Sequence, residues 1–588
     1  DELVDDTTLD TYSPKLYRYT TVEGMSIELG PSVGVTKVTD ANGTTVTFGP
    51  DGILHSDGSG IAFARDAKGR IVAITDPNGG TQSYAYDGNG DLVEHVDATG
   101  ASSRYAYDRR HGLIEAYDAR GVRSMRNDYD DQGRLVSITD GEGHTITYGR
   151  TPGVDEEVVT DRLGRQSRYA YDTQGNVTRA ERVVTIEGTP VLTVSTWEYD
   201  ADGNETVRVD PDGLRREATF DNLVPTRIAF DPAGVNLVST YAFDARRLLG
   251  SATDPAGKTA TFAYDANGNP TSASIPGAGT LTFVHDANGL PIERRNALGT
   301  KVVSTRDARG RVVRDEVFDA GSALLLRVDQ AWDANGNRLS ETQFRTMDGV
   351  LTALTTSYAY DAAGRLVKVT DPAGGTRRIE YDAVGHVTAR VDALGRRTAY
   401  EYDAIGRLVR TAYPDGTTET QVYDAEGNLL SRTDAAGRLT SWEYDELGRV
   451  VRKTRPAGAT TRTIYTAGGR VAATIDPLGQ RNDFAYDSAG RRTTVVEPAV
   501  ADGPGGPLVR PTWTTAWNPD GQPASVTDPY GRVTSYVYDA EGRRIRTIHP
   551  DGTQVQTSWD TASRRIGAVN EEGQATTYAY DALGRVVS

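Results

Sequence analysis

The chain has 588 residues, with 82 Asp and Glu against 64 Lys and Arg, a formal net charge of −18 and no cysteine. That balance argues against a nucleic-acid partner or an anionic membrane surface, both of which call for basic patches, and the lack of thiols excludes disulfides and cysteine chemistry. No run of 18 apolar residues occurs, so no membrane span is expected.

Residues 1–60 are irregular, with short strands expected around 16–24 and 44–49 between Gly-rich turns. They are expected to be a lead-in or diverged repeats. From 61 to 588 an aspartate, mostly preceded by an aromatic residue, marks a series of about 24 units, and 15 of the 23 intervals are 21 residues long. A fixed spacing in the range of about 20–50 residues is the mark of a repeat architecture. Insertions are expected near 182–196, 318–330, 341–356 and 497–511. The first three keep alternating apolar residues on both sides of a turn, as lengthened hairpins do. The last is rich in Pro and Gly, as an exposed loop is. The chain opens at Asp1 without a methionine and stops in mid-repeat at Ser588, so a longer parent protein is expected.

The most regular run holds Tyr360-Asp361, Tyr381-Asp382, Tyr402-Asp403, Tyr423-Asp424, Tyr444-Asp445, Tyr465-Thr466 and Tyr486-Asp487, and the series returns at Tyr538-Asp539 and Tyr580-Asp581. Within one unit, Asp361-x-x-Gly364 and Asp371-Pro372-x-Gly374 share one grammar. Asp leads a type I turn, Pro is allowed next, and Gly takes the left-handed position that closes a three-residue hairpin loop. Turns every 10 or 11 residues leave no room for helices of ordinary length, so the chain is expected to be an all-β meander with two strands per repeat. Simple alternation from the loop would put Tyr358, Tyr360, Leu366 and Lys368 on one face, and Asp361, Arg365, Val367 and Val369 on the other. It also leaves the tyrosine hydroxyl free to reach water. The pair Asp361 with Arg365 recurs as Asp403 with Arg407, the latter after Gly406, and counts for at most about 1 kcal/mol if exposed.

The unit Tyr-Asp-x-x-Gly-Arg-Leu-Val-x-x-Thr-Asp-Pro-x-Gly at 360–374 resembles the YD repeats of the Rhs family, over roughly residues 60–588. That family includes bacterial Rhs polymorphic toxins, toxin-complex C components, wall-associated proteins and teneurins. The resemblance implies a β-hairpin ribbon spiralling into a hollow shell, or β-cage. It further implies a non-catalytic scaffold of a secreted or surface-exposed bacterial protein, enclosing a C-terminal effector domain beside flanking parts of the parent chain. About 48 strands at roughly 4.8 Å would extend on the order of 230 Å, enough for one or two turns and hence an open or partial shell. The family's self-cleavage residues have no counterpart here, since only seven residues follow Asp581. The competing reading is a cell-surface adhesion or carbohydrate-binding module that presents the same ribbon to glycans or to another cell's protein.

The aspartates invite a carboxylate hydrolase, but most of them fill turn slots, where their oxygens cap backbone N–H groups. Asp87-Gly88-Asn89-Gly90-Asp91 and Asp200-Ala201-Asp202-Gly203-Asn204 resemble the start of calcium loops yet lack the bidentate glutamate. The histidines, His55, His95, His111, His144, His285, His386 and His549, show no paired metal-ligand spacing. No catalytic, cofactor-binding or metal residue is therefore assigned, and no cofactor is expected. The 46 aromatic residues are expected to pack between repeats more than to form a sugar-contacting surface.

Overall fold

The computed structural model describes residues 15–22, 24–150, 155–347, 350–503, 505–581 and 584–588. With one exception, the segment after Arg492–Val496, each strand pairs antiparallel with the next in sequence, from Tyr17–Thr20 with Ser26–Gly30 to Arg565–Val569 with Ala575–Thr577, and 52 strands make one sheet. No α-helix occurs among the described residues. Residues before 60 continue the ladder through Gly34–Thr39, Thr45–Gly49 and Gly52–His55. Segment 182–196 lies in a long hairpin, Val177–Ile186 with Thr189–Tyr199. Segment 318–330 spans the turn from Val312–Phe318 into Leu324–Trp332, and 341–356 falls in the pair Arg338–Met347 and Val350–Tyr360. Segment 497–511 leaves the sheet, since Arg492–Val496 pairs directly with Thr512–Trp517, and carries its own small hairpin of Val500–Ala501 with Leu508–Val509.

The turns close as the residue grammar demands. Gly364 and Gly374 have φ of 76° and 87°, a region that only glycine enters freely. The Asp361 carboxylate accepts the N–H groups of Ala363 and Arg365, and Asp371 does the same for Ala373 and Gly375. Simple alternation fails one residue beyond the tyrosine. Tyr360 pairs with Leu366, but Ala359 pairs with Lys368 and Tyr358 with Val369, because Val367 is an extra residue forming a bulge. Val369 therefore joins the tyrosine face and Lys368 crosses to the other. The bulge recurs at Tyr381, Tyr402, Tyr423, Tyr444, Tyr486 and Tyr538. It is missing from most of the opposite ends, such as Thr370 with Thr376, and occurs there beside Tyr117 and Phe318. Bulges concentrated along one edge add bend and twist to that edge, and the ribbon curls.

The curl brings distant turns together. Asn78 donates its N–H to Asn335 and its amide to Asp333, 257 and 255 residues away. Thr185 donates to Glu446, 261 residues away. Some 23 strands separate each pair of turns, so the sheet makes a little over two coils. At roughly 4.8 Å per strand, one coil is on the order of 110 Å around and ~35 Å across.

The result is a wall without a core. The chain exposes 33239 Å², whereas a compact protein of its 63.4 kDa exposes about 20,000 Å². The buried apolar residues are small: Val184, Ala218, Ala229, Ala389 and Ala473. Stability must then come from each strand's neighbours, polar pairs included.

One such pair sits on a lengthened strand. The Arg327 guanidinium beside Asp329, helped by Arg314, holds that carboxyl down at about 2 against the opposing effect of burial. A depressed acid stabilises the fold above its unfolded value of about 3.9. The contribution is lost as pH falls from there through about 2. Asp329→Asn is expected to melt below the parent protein at pH 7, with the difference shrinking to nothing near pH 2, as followed by circular dichroism.

Candidate functional site

Two edges bound the ribbon. The tyrosine edge carries the Tyr-Asp turns, and the proline edge carries turns of the Asp371-Pro372 kind. On the tyrosine edge each repeat is tied to the next. The Asp403 carboxylate accepts the N–H of Arg407 at 2.8 Å and its Nε at 2.5 Å. The same arginine donates from Nη1 to the carbonyl of Asp424 at 2.7 Å, and its guanidinium lies 5.1 Å from the Tyr423 ring centre. The Tyr423 hydroxyl donates back to the Leu408 carbonyl at 3.1 Å. Arg365 repeats the pattern with Asp361, the Asp382 carbonyl and the Tyr381 ring.

The hydroxyls thus point into the wall, not to water. Tyr360, Tyr381, Tyr402, Tyr444, Tyr486, Tyr538 and Tyr580 all donate to a backbone carbonyl of the preceding repeat, at 2.8–3.0 Å. Desolvation raises the pKa of the phenols of Tyr402 and Tyr444, which keeps them protonated as donors. Nor are the Asp–Arg pairs plain surface pairs: the Arg407 and Asp403 side chains are only 18% and 12% exposed. Asp445, Asp487 and Asp539 hold Arg449, Arg491 and Arg543 in the same way, whereas Arg585 on Asp581 is exposed. Where the arginine is replaced the slot is refilled: His386 binds Asp382 at 3.0 Å and stacks on Tyr402 at 4.7 Å. Asn428 donates to Asp424 at 2.8 Å.

The proline edge of the first coil meets the tyrosine edge of the second along a polar seam. Arg120 donates to the Ala404 carbonyl at 2.8 Å, and Arg162 donates its N–H to Glu426 at 2.5 Å. Lys258 pairs with Asp520. The densest knot surrounds Thr466, the one residue in the central run that replaces the turn aspartate. Arg470, left without a carboxylate in its own turn, is held by Asp210 at 2.9 Å and by Asp212. Asp212 also accepts from Thr466 Oγ1 at 2.6 Å and from the Gly468 N–H at 2.7 Å. The departure at Tyr465-Thr466 was the one sequence signal for this contact.

No group of three or more metal-ligating side chains comes together among the described residues. Asp87 and Asp200 act as turn acceptors: Asp87 takes the N–H groups of Asn89, Gly90 and Asp91, and Asp200 those of Asp202 and Asn204. The site that the geometry defines is therefore a wall, its two faces and its seam.

Breaking the knot tests the seam. Asp212→Ala leaves a largely covered Arg470 without its closest partner and is expected to cost about 2 kcal/mol locally. Amide exchange around 464–471 should accelerate roughly 30-fold, and adding Thr466→Asp, which returns a carboxylate to the turn, should restore most of the protection. Tyr423→Phe, which strands the Leu408 carbonyl, is expected to cost about 1 kcal/mol by the same measurement.

The chain matches the RHS Repeat family at residues 65–101, 86–123, 247–280, 332–376, 381–418, 423–461, 465–499 and 517–554. No curated protein matches it. Among solved structures it is similar to the crystal structure of TcdB2-TccC3-TEV, at 12% identity over 97% of this chain and 40% of that one, with a TM-score of 0.43. It is also similar to TcdB2-TccC3-Cdc42, at 12% identity over 97% and 41%, with a TM-score of 0.41. Against the Photorhabdus luminescens Tc holotoxin pore the values are 13% identity over 94% and 31%, with a TM-score of 0.34. The chain spans no more than about two fifths of these solved chains. With eight family matches placed on one continuous antiparallel sheet whose turns mostly run from Asp to Gly, the chain belongs to the RHS-repeat family.

Proposed function

We propose that this chain is the wall of a container: a non-catalytic β-shell that encloses and protects a C-terminal effector domain of a secreted bacterial toxin. The observation that carries this reading is the exposed area of 33239 Å² on a sheet coiled twice and joined to itself edge to edge. A single layer with no core has no structural use for two uncovered faces. A coiled layer has one face turned inward, and that face can surround something. Side chains reduce the ~35 Å between backbones to a bore of roughly 25 Å. A folded domain of 100 residues, with a radius of gyration of about 13 Å, is wider than that. The reading therefore favours a small or unfolded cargo, held with neighbouring parts of the parent protein.

Protection is the property to measure. An unstructured, protease-sensitive reporter of about 60 residues fused after Ser588 is expected to be digested at least tenfold more slowly than the free reporter, and electron microscopy should show a hollow coil. Digestion at the free rate would overturn encapsulation. Tight binding to a glycan array by a particle without a cavity would instead favour the adhesion module.

A further inference from the structure

The repeats serve as controls for one another, and one of them holds a charge that another neutralises. On the tyrosine face, Arg432 lies opposite Gln421 and is gripped by Glu419, two residues before Gln421, at 2.5 and 2.7 Å. The residues 42 positions earlier occupy the same register. There Arg390 lies opposite Ile379, and the place of Glu419 is taken by Arg377. A carboxylate–guanidinium pair in one repeat has become two guanidinium groups in another. Among the described residues, neither the Arg377 nor the Arg390 side chain makes an ion pair or a hydrogen bond, and both are exposed. Like charges at diagonal cross-strand positions repel, and nothing in the wall relieves them.

The two arginines stand in a groove of about 970 Å³ whose half-buried floor includes Val369, Ile379, Thr398 and Tyr400. The acids at its rim are already engaged. Asp392 is bound by Arg396 at 2.7 Å, and Asp415 accepts the Thr417 hydroxyl at 2.7 Å and N–H at 3.0 Å. The groove therefore offers two free cations over an aliphatic and aromatic floor, in a chain whose net charge is −18.

We propose that this groove binds an extended acidic peptide segment, with a glutamate carboxylate seated between Arg377 and Arg390 as the Glu419 carboxylate is seated on Arg432. The aliphatic floor selects the rest of the ligand. An extended strand that places a glutamate on the groove places its residue two positions on over the same face, where Val369 and Ile379 favour an aliphatic side chain. An acidic sugar would supply the carboxylate but nothing for that floor. The site does not depend on which side of the wall faces inward.

The test uses the whole chain and a labelled (Glu-Leu)4 peptide, read by fluorescence anisotropy at low salt, with (Gln-Leu)4 as the neutral control. Binding is expected for the acidic peptide alone, weakening as salt is raised. Arg377→Glu should rebuild the ion pair seen at Glu419 and Arg432. It is expected to weaken peptide binding at least tenfold while leaving the melting temperature unchanged or raised, which separates loss of the site from loss of the fold. Arg377→Glu with Arg390→Glu should reverse the preference and bind (Lys-Leu)4. Undiminished binding by Arg377→Glu, or no binding by the parent chain, would sink the proposal. So would an oligogalacturonate that displaces the peptide and binds more tightly than it does.

Discussion

Each repeat lends its arginine to the next. Arg407 is oriented by Asp403 of its own turn, reaches the backbone of Asp424 one repeat on, and covers the tyrosine whose hydroxyl returns to Leu408. Antiparallel ladder bonds alone would hold the strands side by side, but they leave the turn ends to fray, since no second layer packs over them. The exchange of arginine and tyrosine between neighbours supplies at the edge what a hydrophobic core supplies in an ordinary domain. It also explains the choice of tyrosine over phenylalanine: the ring is a platform for the guanidinium, and the oxygen serves a carbonyl that would otherwise be unpaired.

Curvature and closure follow from an asymmetry between the two edges. Both kinds of turn are closed by the same Asp-to-Gly grammar, yet the bulge recurs along the tyrosine edge and interrupts the proline edge only at isolated turns, beside Tyr117 and Phe318. The edge that is bulged at nearly every repeat bends, and the sheet winds on itself. Successive turns alternate between edges, so turns separated by an odd number of strands lie on opposite edges. A winding ribbon must bring opposite edges together, and some 23 strands per coil meets that condition. The seam is therefore a meeting of unlike partners: proline-edge turns such as Asp210-Pro211-Asp212-Gly213 reach tyrosine-edge turns such as Thr466-Ala467-Gly468-Gly469.

The repeating part of this structure was legible in the sequence, because period and turn chemistry are local. Asp361, Gly364, Asp371 and Gly374 announce their turns within four residues of each other, and the all-β ribbon follows. Two local features were still missed. The bulge at Val367 has no residue signature, since Leu366-Val367-Lys368 alternates as well in a flat strand as in a bulged one. The destination of the Tyr423 hydroxyl depends on a carbonyl 15 residues earlier, which becomes a neighbour only once the bulge sets the register. The seam lay further out of reach: its partners are 227–294 residues apart, and the distance is set by curvature, not by any repeated motif.

Departures from the pattern carry the information that the pattern itself lacks. In a chain where an aspartate and an arginine normally satisfy one another within five residues, each exception leaves a group that must find another partner. Thr466 removes a carboxylate, and Asp212 arrives from the neighbouring coil to replace it. His386 removes a guanidinium, and its ring takes over both the aspartate and the tyrosine. These substitutions are conservative in a physical sense, because the environment answers each of them. Arg377 is of a different kind. It stands where Glu419 stands two repeats later, and nothing in the wall answers it. An unanswered cation in a groove already supplied with an apolar floor is what a wall would hold if one of its partners were not part of the wall.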